Sequence, residues 1–227
     1  MSSRWLGRRK TDPAPGLTQR DQRLVWRIAA LLLDYPNQQT IDLLDDLSAA
    51  AARLPVPAGP ALVSVVDLIR RTPPIELAAH YVEIFDLRRR PCLHLSYYAY
   101  GDTRQRGMAL LRFKHAYRAA GAELGEQELP DHLAVVLEFA STIDPAAGRQ
   151  LLVEYRPVME LLRQSLREAG SPYVAVLDGV CATLPDLSVA DQRRAAQLAA
   201  QGPPDEQVGL EPFGIDPTLA EHGGARR

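Results

Sequence analysis

The chain has 227 residues, 46% of them hydrophobic and 24% charged, with a formal net charge of -2 at pH 7. These values are typical of a soluble globular protein and exclude a collagen-like, disordered or disulfide-stapled chain. The longest apolar run, from Ile28 to Leu33, is far shorter than the roughly 20 residues that cross a bilayer, so we expect no membrane insertion.

The start of the chain and its cysteines indicate the compartment. Basic residues near the N-terminus, such as Arg8 and Arg9, are not followed by the apolar stretch of an export signal. The two cysteines, Cys92 and Cys181, are far apart and have no CxxC companion, which indicates neither a disulfide framework nor a structural zinc site. We therefore expect a cytoplasmic protein with two buried thiols and no bound metal.

Apolar residues recur at three- and four-residue steps along most of the chain, and the alternation typical of strands is absent. This pattern predicts an all-α, single-domain bundle of about nine helices over residues 18–201, between disordered tails at 1–17 and 202–227. Prolines and capping residues set the helix boundaries. The predicted helices run from Thr18 or Asp21 to the Tyr35-Pro36 pair, then over 40–54, 61–71, 74–86, from Asp102 or Thr103 to Gly121, and over 131–143, 145–169 with a break or kink at Pro157, 171–184 and 189–201.

Charge is segregated along the chain. Between residues 86 and 118 there are eight basic and two acidic residues, and the first twenty residues carry an excess of four positive charges. Acidic residues cluster elsewhere, at Asp34, Asp42, Asp45 and Asp46, and again at Glu123, Glu126, Glu128 and Asp131. Such blocks are usually solvated faces. The alternative is a binding surface with one positively and one negatively charged region.

The segment Glu-Leu-Pro-Asp-His, ending at Asp131 and His132, allows two interpretations. In one it is an ordinary helix start, where Asp131 accepts hydrogen bonds from the free backbone amides. In the other the carboxylate and imidazole anchor a partner or ligand. No glycine-rich phosphate loop, HExxH or GxSxG pattern is present, and Cys92 with His94 alone is too small a set for zinc.

Three ordered segments identify a family: HYVEIFDL, RRRPCLHLSYYAYGDTRQRG and ELPDHLAVVLEFA. Together they resemble the NarJ-type assembly chaperones of respiratory nitrate reductase, within the TorD-like group of redox-enzyme maturation chaperones. The strongest match covers residues 79–143, and the helical layout agrees over about 18–200. The chain is more aromatic than the family pattern between His94 and Gly101.

The resemblance implies a non-enzymatic cytoplasmic chaperone that binds the N-terminal segment of the nitrate reductase catalytic (alpha) subunit. Such a protein supports insertion of the molybdenum bis-guanine-dinucleotide cofactor into that subunit and delays membrane docking until assembly is complete. The chaperone itself would bind no cofactor stably and no nucleic acid. Cofactor-biosynthesis proteins are further candidate partners.

The resemblance also assigns candidate residues. Leu93, His94, Gly101, Asp102, Arg104, Arg106 and Gly107 match the central motif, and Asp131 and His132 match an Asp-His element of the wider group. The residues predicted to bind the partner are Tyr81, Phe85, Leu93, His94, Tyr97, Asp102, Arg106, Asp131 and His132. Most aromatic rings of this region, a set that includes Tyr81, Phe85 and Tyr97, are also expected in the core or at its margin.

Two other classes remain open at this point. A ligand-responsive transcription regulator would suit a helical chain with a basic start, but the second predicted helix carries Asp42, Asp45 and Asp46, which disfavours DNA contact. A helical metal-dependent hydrolase could use Asp131 and His132 with His94 or His80.

Overall fold

The computed structural model describes residues 17–88, 91–101, 103–125 and 128–202. Within these ranges the chain forms twelve α-helices and no β-strand, which confirms the predicted all-α class. The tails predicted to be disordered, 1–17 and 202–227, lie outside the described residues except for Leu17, which is buried, and Gly202. In chain order the helices are α1 (Gln19–Leu33), α2 (Gln38–Asp42), α3 (Leu44–Ala51), α4 (Ala58–Arg71), α5 (Pro74–Phe85), α6 (Tyr97–Tyr100), α7 (Arg104–Ala119), α8 (Leu133–Thr142), α9 (Pro145–Glu154), α10 (Arg156–Glu168), α11 (Val174–Cys181) and α12 (Val189–Gln201).

Several helix boundaries lie where the local chemistry predicts them. The Thr18 hydroxyl accepts the Asp21 amide at 3.1 Å, and the Asp21 carboxylate accepts the Thr18 amide at 3.0 Å, so α1 begins with a capping box. Beyond the end of α7, Gly121 has a φ of 76°, the left-handed conformation that glycine adopts without strain. These local signals act over a few residues and were therefore visible in the sequence.

Other boundaries differ from the predictions. The helix predicted over 40–54 is two helices, because the chain turns at Leu43, and the helix predicted over 61–71 begins earlier, with Pro60 accommodated in its first turn. The predicted break near Pro157 is confirmed, with Tyr155 between α9 and α10. A four-residue helix, α6, lies in a stretch without a clear period. The result is twelve described helices where about nine were predicted.

Helices α1 and α8 form the centre of the core and run antiparallel. Arg23 Nε near the start of α1 donates to the Ser141 carbonyl at the end of α8 at 2.8 Å. One turn further along α1, Arg27 pairs with Glu138 at 2.5 Å. The opposite side of α1 is also covered, where Trp26 donates to the Thr183 hydroxyl at 2.8 Å. Contacts with α8 on one side and α3, α4 and α11 on the others bury most of α1.

The remaining helices build outward from this pair. Helix α9 packs against α8 at Gly148, where a Cβ atom would lie 2.3 Å from the Ala140 Cβ. Helix α12 packs mainly on α10 and has no fully buried side chain. Cys181 is buried as expected, whereas Cys92 is only partly buried. None of the described helices combines the length and hydropathy that a membrane span requires.

Candidate functional site

A short backbone ladder joins the central motif to the start of α8. The Leu95 amide donates to the Asp131 carbonyl at 3.0 Å, and the Leu133 amide donates to the Leu93 carbonyl at 2.9 Å. These two bonds form an isolated antiparallel bridge between His94 and His132. Two segments nearly forty residues apart in sequence are thereby fixed side by side, and both carry residues of the predicted site.

The Asp131 carboxylate lies beneath this bridge and is fully buried. It accepts the Ser96 amide at 3.1 Å and the Ser96 hydroxyl at 2.5 Å, and His94 Nδ1 lies 3.3 Å from its other oxygen. The Arg106 guanidinium approaches to 3.7 Å. Charge-assisted hydrogen bonds of this kind compensate for burial of a carboxylate. The Asp131 side chain therefore connects the start of α8 with the segment of His94 and Ser96 and with Arg106 of α7.

This arrangement shows that the Asp131 carboxylate does not cap helix α8, so the helix-start interpretation of this residue is wrong. The residue that caps α8 is His132, and its side chain makes no capping hydrogen bond. The Asp131 carboxylate points instead to Ser96 and His94, because the chain before α8 follows the bridge and not the helix axis. A prediction from local sequence could not detect a partner that comes from residues 94–96.

The protonation states follow from these surroundings. Burial favours the neutral form of Asp131, but hydrogen bonds from His94 and Ser96 outweigh it and hold the pKa of the carboxyl below its ordinary value. Burial lowers the pKa of His132 to about 4, and nearby His94 adds to the shift while Asp131 opposes it. The two imidazole rings meet edge to face, 5.1 Å apart. At neutral pH this site therefore holds an ionised Asp131 and a neutral His132.

Arg106 and Tyr97 extend the same cluster toward α6 and α7. The Arg106 guanidinium carbon lies 5.7 Å from the centroid of the Tyr97 ring, within the range of a cation–π contact. Five of the predicted residues are thus brought together: His94, Tyr97, Arg106, Asp131 and His132. Asp102 lies outside the described residues.

Leu93, Tyr81 and Phe85 are placed differently. Each is less than a tenth exposed. Leu93 contributes its carbonyl to the bridge. The Tyr81 hydroxyl donates to the Leu33 carbonyl at 3.0 Å, and its ring packs on Phe85 with centroids 4.8 Å apart. These side chains therefore form part of the core, and the partner contact proposed for them stays a prediction.

A groove opens beside the two histidines, between α1 and α8, with a volume of about 370 Å³. Its apolar surface comes from Ala30 and Leu31 of α1, Ala134 and Val135 of α8, and Leu129 of the preceding loop. Leu129 is 43% exposed and is continuous with these apolar side chains, and together they form a surface that a ligand could cover. His94 and His132 line the groove as well.

Carboxylates surround this apolar surface. Asp34, Glu128 and Glu138 line the groove, and Arg27 is the one arginine or lysine among the described residues that line it. Because Arg27 is paired with Glu138, the charge that faces a ligand is negative. Asp34 and Glu128 come from the two acidic clusters seen in the sequence, so the fold brings one member of each to the same site. The groove suits a ligand with apolar anchors and positive charge.

Sequence reasoning missed several of these residues. Ser96 provides two hydrogen bonds to Asp131, and Leu31, Leu129 and Glu138 line the groove. The exposed leucine beside a glutamate was a weak signal, since single exposed leucines are common. The groove itself depends on the antiparallel packing of α1 and α8, which no local pattern specifies.

The basic stretch between residues 86 and 118 is partly neutralised within the fold. Arg88 pairs with Glu83 at 2.7 Å, and Arg112 pairs with Glu154 at 2.6 Å. Among the residues that the structure describes, no group of three or more His, Cys, Asp or Glu side chains is arranged to hold a metal ion.

The fold resembles that of a solved protein of the maturation class. The crystal structure titled as a putative redox enzyme maturation protein from Archaeoglobus fulgidus superposes with a TM-score of 0.53 at 22% identity, covering 73% of this chain and 93% of that one. The family model described as nitrate reductase delta subunit matches residues 51–178. That span is more than half of the chain, and the chain therefore belongs to the nitrate reductase delta subunit family.

Named relatives agree with this assignment. The chain is 42% identical over 160 residues to the nitrate reductase-like protein NarX of Mycobacterium tuberculosis, of which it spans about a quarter, 24%. It is 27% identical to the probable nitrate reductase molybdenum cofactor assembly chaperone NarJ of Bacillus subtilis, covering 79% of this chain and 98% of that protein. It is 28% identical to Escherichia coli NarJ, covering 81% and 79%. The predicted membership of the NarJ-type group is confirmed, and the two NarJ relatives are named as assembly chaperones and not as catalysts.

Proposed function

We propose that this protein is a cytoplasmic chaperone dedicated to one nitrate reductase. It binds the N-terminal segment of the catalytic subunit, supports insertion of the molybdenum bis-guanine-dinucleotide cofactor and delays membrane docking until assembly is complete. The family and the relatives named as assembly chaperones support the general role. The structural observation that carries the specific proposal is the carboxylate-lined apolar groove between α1 and α8.

The binding mode follows from the composition of this groove. An amphipathic helical segment places large apolar side chains against Leu31, Leu129 and Val135, and these anchors supply most of the affinity. Cationic side chains of the segment lie near Asp34 and Glu128 and select its orientation. The cofactor is cargo for the partner in this proposal, and the chaperone does not retain it.

The histidine pair and Asp131 position one wall of the groove. Asp131 is fully buried and cannot contact a partner, but its bonds to His94 and Ser96 hold the bridge segment beside α8. His94 is 30% exposed and neutral His132 lies next to it, so these two rings can contact a bound segment directly. In this proposal Asp131 acts through His94 and the bridge.

Calorimetry with a synthetic peptide of the catalytic subunit's N-terminal sequence tests the proposal. Replacing Leu129 with Ser removes an exposed anchor, and the loss of about 1–2 kcal/mol of apolar contact weakens binding roughly tenfold. The matched control is Leu43→Ser, since Leu43 is 39% exposed and does not line the groove. Equal affinity of the wild type and both variants would refute the groove as the binding site.

A cellular measurement tests the wider role. In a strain that lacks its own chaperone, wild-type protein restores molybdenum content and nitrate reduction, and Leu129→Ser restores less of both than Leu43→Ser does. Capture of the chaperone from nitrate-grown cells recovers the catalytic subunit. Recovery of DNA or a small metabolite without any reductase subunit would refute the chaperone proposal and favour the regulator.

A further inference from the structure

Helix α7 carries the part of the basic stretch that the fold does not neutralise. The helix contains five arginine or lysine side chains and no acidic one, and two of the five lie near carboxylates of the fold. The other three, Arg104, Lys114 and Arg118, are exposed and form no ion pair with any residue that the structure describes. Glu123, beyond the end of the helix, lines a cavity with Lys114 and Arg118 but pairs with neither. The exposed side of α7 is therefore positively charged.

The same side of α7 is apolar at its centre. Steps of four, three, four and three residues separate five exposed side chains, which we call the α7 stripe: Arg104, Met108, Leu111, His115 and Arg118. At about 100° per residue, these positions lie within about 80° of one another around the helix. Met108 is 70% exposed and Leu111 is 55% exposed. The stripe thus has a cation at each end and two large apolar side chains between them.

The opposite side of α7 is fixed to the core. Phe113 and Tyr117 are almost completely buried, and their rings pack on those of Tyr155 and Phe139, with centroids 5.0 and 4.6 Å apart. The Tyr117 hydroxyl also donates to the Pro130 carbonyl at 2.6 Å. These contacts hold the α7 stripe toward solvent as a convex surface that a single helix forms.

We propose that the α7 stripe, with the adjacent Lys114, is a docking surface for an anionic lipid bilayer. Met108 and Leu111 enter the boundary between headgroups and acyl chains, and the cations around them lie against lipid phosphates. Helices with an apolar centre and basic flanks bind anionic membranes in this way, parallel to the surface. The contact is peripheral and requires no helix that crosses the bilayer. It goes beyond the proposed function, because the α7 stripe shares no residue with the groove.

Charge and shape favour a bilayer over other occupants. A second copy that packed through the same stripe would bring two sets of cations together, which is unfavourable. A helical peptide binds in a groove between helices, whereas this surface is convex. Nucleic acid is contacted mainly through its phosphates by charged and polar side chains, and such an interface would leave Met108 and Leu111 without apolar partners.

Co-sedimentation of the full chain with lipid vesicles tests the proposal. We expect the protein to bind vesicles of phosphatidylglycerol and phosphatidylcholine, and to bind vesicles of phosphatidylcholine alone roughly tenfold more weakly or less. Added salt releases the protein from the anionic vesicles, because it screens the attraction between the cations and the lipid phosphates. Failure to bind the anionic vesicles at low salt would overturn the proposal.

A pair of charge variants tests whether α7 makes the contact. Each cation close to an anionic membrane strengthens binding about fivefold, so Lys114→Gln with Arg118→Gln weakens binding roughly 25-fold. The matched control, Arg193→Gln with Arg194→Gln, removes the same charge from exposed positions of α12 and leaves binding nearly unchanged. All other basic residues are the same in the two proteins, so their contribution cancels. An equal loss in both would show a general attraction of charges and overturn the assignment to α7.

A pair of apolar variants distinguishes a bilayer from other polyanions. Met108→Gln with Leu111→Gln keeps every charge and removes the side chains that enter the bilayer, so binding to the anionic vesicles falls roughly tenfold. The control, Ile75→Gln with Val189→Gln, changes apolar residues of α5 and α12 that are 81% and 64% exposed, and it keeps the wild-type affinity. If both pairs bind alike, the surface attracts anions in general, and the bilayer proposal is overturned.

Two further measurements complete the test. Circular dichroism verifies that each variant is folded, as expected for substitutions of exposed side chains. Light scattering without lipid measures the oligomeric state, and a dimer that Met108→Gln with Leu111→Gln abolishes would assign the stripe to a second copy and overturn the proposal. None of these experiments uses the catalytic-subunit peptide, so their outcome is independent of the proposed function.

Discussion

The Ser96 amide and hydroxyl both donate to one oxygen of the Asp131 carboxylate, at 3.1 and 2.5 Å. Both residues are completely buried, so each depends on the other for hydrogen bonding. This pair fixes the motif that carries His94 against the start of α8. The conformation of the groove wall therefore depends on a contact that itself touches no ligand.

Substitutions of Asp131 are expected to destabilise the protein more than loss of a helix cap would. Asp131→Ala leaves the buried Ser96 donors without an acceptor, at a cost of about 3 kcal/mol, and Asp131→Asn costs about 1–2 kcal/mol because the charge-assisted bonds are lost. Urea unfolding measures both. The control is Asp144→Ala, which removes a true cap that accepts the Ala146 and Ala147 amides and costs about 1 kcal/mol. Similar losses for Asp131→Ala and Asp144→Ala would contradict the buried role.

The lowered pKa of His132 predicts that the stability of the protein depends on pH. Its pKa is about 4 in the folded protein and 6.5 in the unfolded chain. Between these values the unfolded chain binds more protons, so the free energy of unfolding decreases as pH falls from about 6.5 toward 4, by up to about 3 kcal/mol. Urea unfolding at several pH values measures this decrease, and His132→Gln reduces it. The Asp131 pKa is also low, so its contribution is present above about pH 4 and is lost only at lower pH. An unchanged slope in His132→Gln would contradict the assignment.

The packing of α8 on α9 predicts a large effect at Gly148. A methyl group there would meet the Ala140 Cβ at 2.3 Å and the Ala140 Cα at 2.4 Å, so the two helices would have to separate. We expect Gly148→Ala to cost about 2–3 kcal/mol. The matched control is Gly107→Ala in α7, where nothing lies within 4 Å of the new methyl group and the helix gains up to about 1 kcal/mol. Thermal unfolding of the two variants should therefore change in opposite directions.

Tyr81 separates a core role from a partner role. Tyr81→Phe removes the buried hydrogen bond to the Leu33 carbonyl and leaves that acceptor unpaired, at a cost of about 1 kcal/mol or slightly more. Because the ring is only 6% exposed, we expect the affinity for the catalytic-subunit peptide to stay unchanged. Calorimetry and urea unfolding of the same preparation measure both quantities. A weaker affinity without loss of stability would instead support the partner contact predicted from the sequence.

The helices could be predicted because their signals are local. The Thr18–Asp21 capping box, the proline at the start of α5 and the positive φ of Gly121 each act within a few residues. The break between α2 and α3 at Leu43 was missed because the sequence around it contains no proline or glycine. Helix α6 was missed because it is only one turn long.

The candidate site was predicted only in part, for the same reason. The motifs supplied His94, Arg106, Asp131 and His132, and the structure brings these four together. The groove could not be predicted, since its two walls come from helices about one hundred residues apart. The packing of α1 against α8 is determined by the whole core. The two acidic clusters in the sequence therefore gave no indication that they would lie at the same groove.

The position of α12 has a practical consequence. This helix packs mainly on α10, has no fully buried side chain and begins with its own capping box at Ser188. A dye or immobilisation tag attached through an exposed residue such as Arg193 would therefore report on the protein without covering the α1–α8 groove. Surface-based binding measurements and single-molecule work could orient the molecule by this helix and leave the groove open to solution.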